Sequence, residues 1–385
     1  MTPTPPKIQL DPWRSDYGGE LLPEPPGVEE AEGVRLDVEV SGPWSSRVPT
    51  EVGERPRLVF VDGVRRIDAR LVVHRPDGPT DGASPPVLHG VAASLAVGAV
   101  EVGGSKAARF VTERVRRLLV LPSMVLPDEP LEPTPGLSYE PVSSSRAEDA
   151  EDSGSVGDPT LELQRQMQRT EAELVVELGG AEDDDAQIEG AEGDGRPRWV
   201  IADGPLRFGP AMPARAVGYI KRSAKLHLPA SHLEVLARLP VAGRTPLFVL
   251  SGQGRGFPRL SWYLRLADPA PAESDLGGLA RLEVAEAVGL DTARALADAS
   301  CAFLPPLGSR PFEDPRAPQN LVPIGALERR LKHALGDAAL IRRHLAARLA
   351  GSPRSQVGEF DGSLGPHPLA PFPTFGRGGT GEVKA

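Results

Sequence analysis

Arg57-Leu-Val-Phe-Val-Asp-Gly63 is a run of large apolar and β-branched residues that stops on an aspartate and a glycine. Such a run reads as a buried strand that delivers its last carboxylate to the rim of a sheet. About 140 residues further on, Arg198-Trp-Val-Ile-Ala-Asp-Gly204 repeats the pattern. Asp-Gly is also a favoured turn pair, so one copy alone says little. Two copies allow Asp62 and Asp203 to stand side by side, as a divalent metal bound to a phosphodiester requires.

Outward from the first stretch, Arg66 to His74 alternates apolar Ile67, Ala69, Leu71 and Val73 with outward residues, which is strand periodicity. Val87 to Val102 reads as a long third strand, and the three suggest an antiparallel meander. Val111 to Val120 is apolar with interspersed arginines and fits strand or helix. A helix is predicted from Asp158 or Thr160 to Leu178, with Thr160 as the candidate N-cap. Strands follow at Val217 to Lys221, Thr245 to Ser251, Leu260 to Leu266 and Leu279 to Val284. Helices follow at His232 to Leu239, Asp291 to Ala302, Gly325 to Leu335 and Ala338 to Leu349. The order describes a mixed α/β sheet flanked by helices. It is compatible with an RNase H-like sheet and with several other α/β folds.

Residues 1–54 are rich in proline and acid and read as an extended arm that packs on a partner or protomer. The folded domain is placed at 55–350, with low-complexity insertions at about 127–158 and 180–196, and 351–385 as a disordered tail. The 385 residues include 42 prolines and 42 glycines, so only part of the chain can pack into a core. A net charge of −10 argues against holding nucleic acid by bulk attraction, though the acids are clustered enough to leave room for a local basic groove. The single cysteine, Cys301, excludes an internal disulfide framework and a cysteine zinc site. No stretch has the length and apolarity of a membrane span, and the N-terminus lacks a signal-peptide core, so the expectation is a cytoplasmic protein with no membrane association.

Two-metal cleavage of a phosphodiester needs several converging carboxylates, because cations ~3.5–4 Å apart must be neutralised while coordination positions stay open. Asp62 and Asp203 supply two, and the helix between them offers Glu171, Glu173 and Glu177, of which Glu173 and Glu177 share a face. Lys221 follows a strand just after the second aspartate and can meet a phosphate. Arg255, Arg259 and Arg265, interleaved with Trp262 and Tyr263, form the most nucleic-acid-like patch, since arginines track phosphates and aromatic rings stack on bases. The loop Gly252 to Gly256 lacks the Gly-Lys-Ser/Thr ending of a nucleotide-binding loop.

Taken together and in order, Phe60-Val-Asp-Gly63, Ile201-Ala-Asp-Gly-Pro-Leu206, Val217-Gly-Tyr-Ile-Lys221, Ser261-Trp-Tyr-Leu-Arg265 and Ala317-Pro-Gln-Asn-Leu-Val-Pro-Ile324 resemble the NurA nuclease family. The resemblance implies an RNase H-like core and a manganese- or magnesium-dependent DNA nuclease holding two ions. Activity of the 5′–3′ exonuclease and single-strand endonuclease type is implied, in DNA end processing and double-strand break repair or in anti-phage defence. It also implies a homodimer that docks on a HerA-like hexameric ATPase. Carried over, Asp62 and Asp203 are metal ligands, and a helix glutamate, Glu171 with Glu173 as the alternative, completes the site. Where the family often has a tyrosine near the C-terminal proline motif this chain has Val322, and no histidine stands at the matching distance, with Gln319 and Asn320 as polar substitutes. That departure keeps open a catalytically silent dimeric adaptor for a DNA translocase.

Overall fold

The computed structural model describes residues 7–10, 33–50, 53–74, 87–103, 108–144, 157–180, 196–207, 212–221, 227–251, 257–269, 276–314 and 316–351. Long strands dominate its centre. β3 (Arg57–His74), β4 (Val87–Val102) and β5 (Ala108–Leu121) form an antiparallel meander. The two predicted strands up to His74 are one 18-residue strand. A register shift between Ile67 and Ala69 bends the chain without breaking the ladder. The arginine-bearing segment 111–120, ambiguous by periodicity, is strand because it pairs along the length of β4.

Beside β3, β8 (Arg198–Asp203) runs parallel, and β9 (Ala216–Ile220) runs parallel to β8. β12 (Leu279–Ala285), β11 (Arg259–Arg265), β10 (Phe248–Leu250) and the short β2 (Val34–Arg35) extend that side antiparallel. On the other side β5 is followed by β7 (Leu137–Ser143) and β6 (Leu131–Thr134), while β1 (Lys7–Leu10) pairs with the far end of β3. Among the described residues this is one 12-stranded mixed sheet.

Alternating residues of β3 face opposite layers. Val59 and Val61 pack against α1 (Pro159–Gly180) through Leu163, Met167 and Leu174. Leu58, Phe60 and Val64 pack with α3 (Leu290–Phe303) and α4 (Val322–Ala334) through Leu296, Ile324, Leu327 and Leu331. Each such leucine, wholly removed from water, contributes roughly 1.5–3 kcal/mol. β4 is therefore covered on both faces, and this explains its run of apolar and small residues from Gly90 to Val100. α5 (Ala338–Ala350) closes the outer end of the long strands through Ile341 and Leu345.

Three expectations are corrected. Residues 131–143, placed in a low-complexity insertion, are strands, with Leu137 and Tyr139 buried on alternate positions. Residues 33–50 of the N-terminal arm pack on this chain's own sheet. Their Glu39 accepts two hydrogen bonds, at 2.8 and 2.9 Å, from Arg244, and both side chains are shut off from solvent. Asp158, not Thr160, caps α1, since its carboxylate accepts the Thr160 amide at 2.8 Å. The acidic tract 181–195 and the tail 352–385 lie outside the described residues. No helix among the described residues is long and apolar enough to cross a membrane.

Candidate metal centre

Asp62 is not at a strand end. β3 continues past it, paired with β4 at Asp62–Gly98 and Gly63–Val97, while on its other side β8 stops at Asp203. The parallel pairing of Val61 with Ala202 sets the two aspartates level where the sheet opens. Gly204 has φ +114°, a conformation open to glycine, and its amide donates to Tyr219 O at 2.8 Å, turning the chain away from the rim. Gly98 leaves room for the layer above. A Cβ there would meet Thr112 O at 2.7 Å and Leu331 Cδ2 at 3.0 Å.

The carboxylates of Asp62 and Asp203 meet that of Glu328, with one oxygen from each within 4.8 Å of the others. Glu328 lies on α4, four residues after Ile324 and three before Leu331, inside the helix's buried stripe. It was not among the residues singled out from sequence. The available signal was an acid in line with the core leucines of a helix. Arg316 fixes it with two hydrogen bonds at 2.8 and 2.7 Å, and Asp314 in turn holds the Arg316 guanidinium at 3.0 Å. Lys221 donates to Asp203 at 2.6 Å and stands 3.7 Å from Glu328.

Glu171 approaches from the opposite face. It lines, with Asp62, Asp203 and Gly63, a cavity of about 300 Å³ between α1 and the Gly204–Arg207 turn. Its Oε1 sits 2.5 Å from where a Cβ on residue 63 would stand, so Gly63 gives that carboxylate its place. Glu173, by contrast, is exposed, and Glu177 pairs with Arg114 on the surface.

Burial is the main cause pushing the Asp62 carboxyl far above the ordinary range, and the neighbouring Asp203 adds to it while Lys221 opposes. Burial likewise raises Asp203 against the pull of Lys221. Glu171 is pushed up to about 8 by burial and by Asp203, with Arg207 opposing. For Glu328 burial works in the same upward direction, but the hydrogen bonds from Arg316 and the charge of Lys221 prevail and hold it below the ordinary value.

A cation fits this donor set. Asp62 is 5 % exposed; its Oδ1 accepts the Gly63 amide at 2.8 Å, and its buried Oδ2 has no hydrogen-bond partner among the described residues. An orphaned buried carboxylate oxygen is costly unless something positive meets it. All the donors are oxygens, which select hard divalent cations such as magnesium or manganese over zinc or copper. Opposite oxygens on such an ion lie ~4 Å apart, within the 4.8 Å that bounds these three.

The basic aromatic strand is located elsewhere. Trp262 is fully buried, its indole donating to Ser300 Oγ at 3.1 Å on the α3 side. Tyr263 is buried against Phe248, ring centroids 5.8 Å apart. Arg265, 1 % exposed, donates to the Leu236 and Leu239 carbonyls at 2.7 and 3.1 Å, satisfying the end of the short helix α2 (Leu233–Ala237). These three have no surface to offer DNA, because β11 is covered on both faces. Arg259 is partly exposed and bonds to buried Glu283 at 3.3 Å. Arg255 lies outside the described residues.

No protein-family model matches the chain, and no curated protein does. Among solved structures it is similar to the crystal structure of the NurA nuclease from Sulfolobus solfataricus, at 12% identity over 80% of this chain and 86% of that one, with a TM-score of 0.37. At that TM-score the likeness carries no functional weight, and the site stands on its own side chains.

Proposed function

We propose that this chain is a divalent-metal-dependent DNA nuclease of the NurA type, with Asp62, Asp203, Glu328 and Glu171 as its carboxylates. The observation that carries the reading is the buried Asp62 Oδ2, without a hydrogen-bond partner among the described residues, inside a cluster of carboxylates whose oxygens converge within 4.8 Å. An RNase H-like core is part of the reading, supported by the order β5-β4-β3-β8-β9 with β3 and β8 parallel.

Asp62, Asp203 and Glu328 would hold manganese or magnesium, with Glu171 serving a second ion from the α1 side. Bound there, the metal supplies Lewis-acid polarisation of the phosphodiester and a water of lowered pKa. The chain's own groups do the rest. Lys221 pairs with Asp203 and stands near Glu328, where its ammonium would also be in reach of a scissile phosphate held at these carboxylates. Arg316 orients Glu328. Glu171, whose carboxyl burial pushes up to about 8, would have to give up its proton to hold a cation. A homodimer docked on a HerA-like hexameric ATPase, in the cytoplasm, completes the proposal, supported by the ordered motifs from Phe60 to Ile324.

The test is cleavage of an end-labelled single strand with and without manganese. Wild type is expected to cut only with the metal, and Asp62→Ala and Asp203→Ala to lose cleavage while folding normally. Full activity in either variant would sink the proposal. Loss of cleavage together with unaltered manganese binding by calorimetry would move the metal elsewhere.

A further inference from the structure

The cavity beside the carboxylates is larger than ions need. Its walls are Met167, Val175, Leu206 and Met212, and its polar groups besides the acids include the Gln168 amide and the Arg207 guanidinium. Thioethers and aliphatic carbons offer close dispersion contact to a flat ring. Gln168 is half-buried and makes no hydrogen bond among the described residues, whereas its neighbour Gln164 is engaged by Arg65 at 2.5 Å. A primary amide presents a donor and an acceptor together, the combination that matches a nucleobase edge.

The wall opposite α1 is built rather than loose. The Leu206 amide donates to buried Glu283 at 2.8 Å, and the Gly204 amide to Tyr219 O at 2.8 Å. Charge decides what can enter. Asp62, Asp203 and Glu171 open on the cavity against a single guanidinium, Arg207, so no excess of positive charge draws a phosphate into its depth, whereas an uncharged heterocycle meets no such requirement. Size decides further. About 300 Å³ lies at the bottom of the range of small-molecule sites, enough for a ring system but far short of a duplex ~20 Å across. A base in a duplex must first be unpaired and unstacked at a cost of a few kcal/mol, and an unpaired strand presents it free.

We infer that this cavity takes one unstacked nucleobase of single-stranded DNA, flanking the phosphate that the carboxylates address, with Gln168 reading its edge. The inference rests on the nuclease reading for the identity of its ligand. It makes single-strand preference a property of the cavity rather than of a basic groove.

Single strands carrying 2-aminopurine at successive positions, bound to the full chain in EDTA at low salt, test it without any cleavage. Wild type is expected to alter the fluorescence at one position. Gln168→Phe, which fills the cavity, should abolish that change and weaken binding about tenfold, and Gln168→Ala about threefold. A strand lacking that one base should bind wild type and Gln168→Phe equally. Equal affinity of wild type and Gln168→Phe for the intact strand overturns the pocket; if the phenylalanine variant does not fold, Gln168→Ala decides in the same way. Manganese-dependent cleavage measured alongside separates the two readings. Wild type that inserts the base yet never cuts overturns the nuclease and keeps the pocket, and wild type that cuts with no fluorescence change overturns the pocket alone.

Discussion

Asp62 and Asp68 lie six residues apart on β3, and both are almost wholly buried, at 5 % and 3 % exposure. Asp68 is saturated. It accepts from Arg66 at 2.8 Å, from the Tyr139 hydroxyl at 2.9 Å and from Ser94, and Arg66 and Arg117 carry that network on to the carbonyl ends of α4. Asp62 has one amide on one oxygen and nothing on the other. A buried acid with both oxygens met is a structural joint that stitches a bulge, a neighbouring strand and a helix terminus together. A buried acid left half unmet, among other acids, is a position the fold maintains at a cost, and the cost is recovered when a cation binds.

The comparison breaks if the two aspartates respond alike to removal. Asp68→Ala is expected to lose roughly 3–5 kcal/mol of stability, because it leaves the buried Tyr139 hydroxyl without its acceptor and removes the charge that pairs with Arg66. Asp62→Ala in EDTA should change stability by less than ~1 kcal/mol, or raise it, since it removes a buried carboxyl oxygen that has no hydrogen-bond partner. Urea denaturation of both variants reads the difference directly, and equal losses would place Asp62 among the structural acids.

The residues that orient each acid should divide in the same way. Arg316→Ala is expected to weaken manganese binding roughly 10–100-fold by calorimetry, through the loss of Glu328's alignment. Ser94→Ala should leave manganese affinity alone and cost ~1–3 kcal/mol of stability as Asp68 loses a donor.

Acidity offers a third measurement. Glu171 sits at about 8 against an ordinary 4.5, and burial raises Asp62 and Asp203 in the same direction. For an acid whose folded value is raised, the protonated form favours the fold. Its contribution is complete below the unfolded value and is lost as pH climbs through the folded one. Metal-free protein should therefore melt at falling temperatures between about pH 4.5 and 8, with a slope of at most ~1.4 kcal/mol per pH unit from each group. Manganese should flatten that slope, and proton release on metal binding should be measurable at neutral pH. A stability that rises across this window would contradict the assignment of these three acids.

The smallest effect is steric. Gly63→Ala puts a Cβ 2.5 Å from Glu171 Oε1, so the carboxylate must swing aside. Manganese-dependent cleavage is expected to fall about tenfold with little change in melting temperature, as a displaced catalytic group commonly costs up to about a hundredfold.

Much of the fold is legible in the chain. The meander, the helix before the second Asp-Gly strand and the closing helices follow from alternation and helical spacing, and Asp62 and Asp203 stand out because one pattern occurs twice. Two kinds of information are not local. Whether a strand is covered on one face or two depends on which layers land on it, so Trp262, Tyr263 and Arg265 read as a basic aromatic surface and are in fact core. Long-range convergence is likewise invisible, since Glu328 stands 125 residues beyond Asp203 on a different element and nothing in its own neighbourhood distinguishes it from a solvated helix acid except its alignment with Ile324 and Leu331. The sequence determined which segments become strands and helices and which carboxylates end at Asp-Gly, because those depend on neighbours a few residues away. Only the tertiary structure decided that β8 stops while β3 runs on, that α1 and α4 close from opposite faces, and that one aspartate oxygen is left without a partner, because each depends on packing between parts of the chain far apart in order.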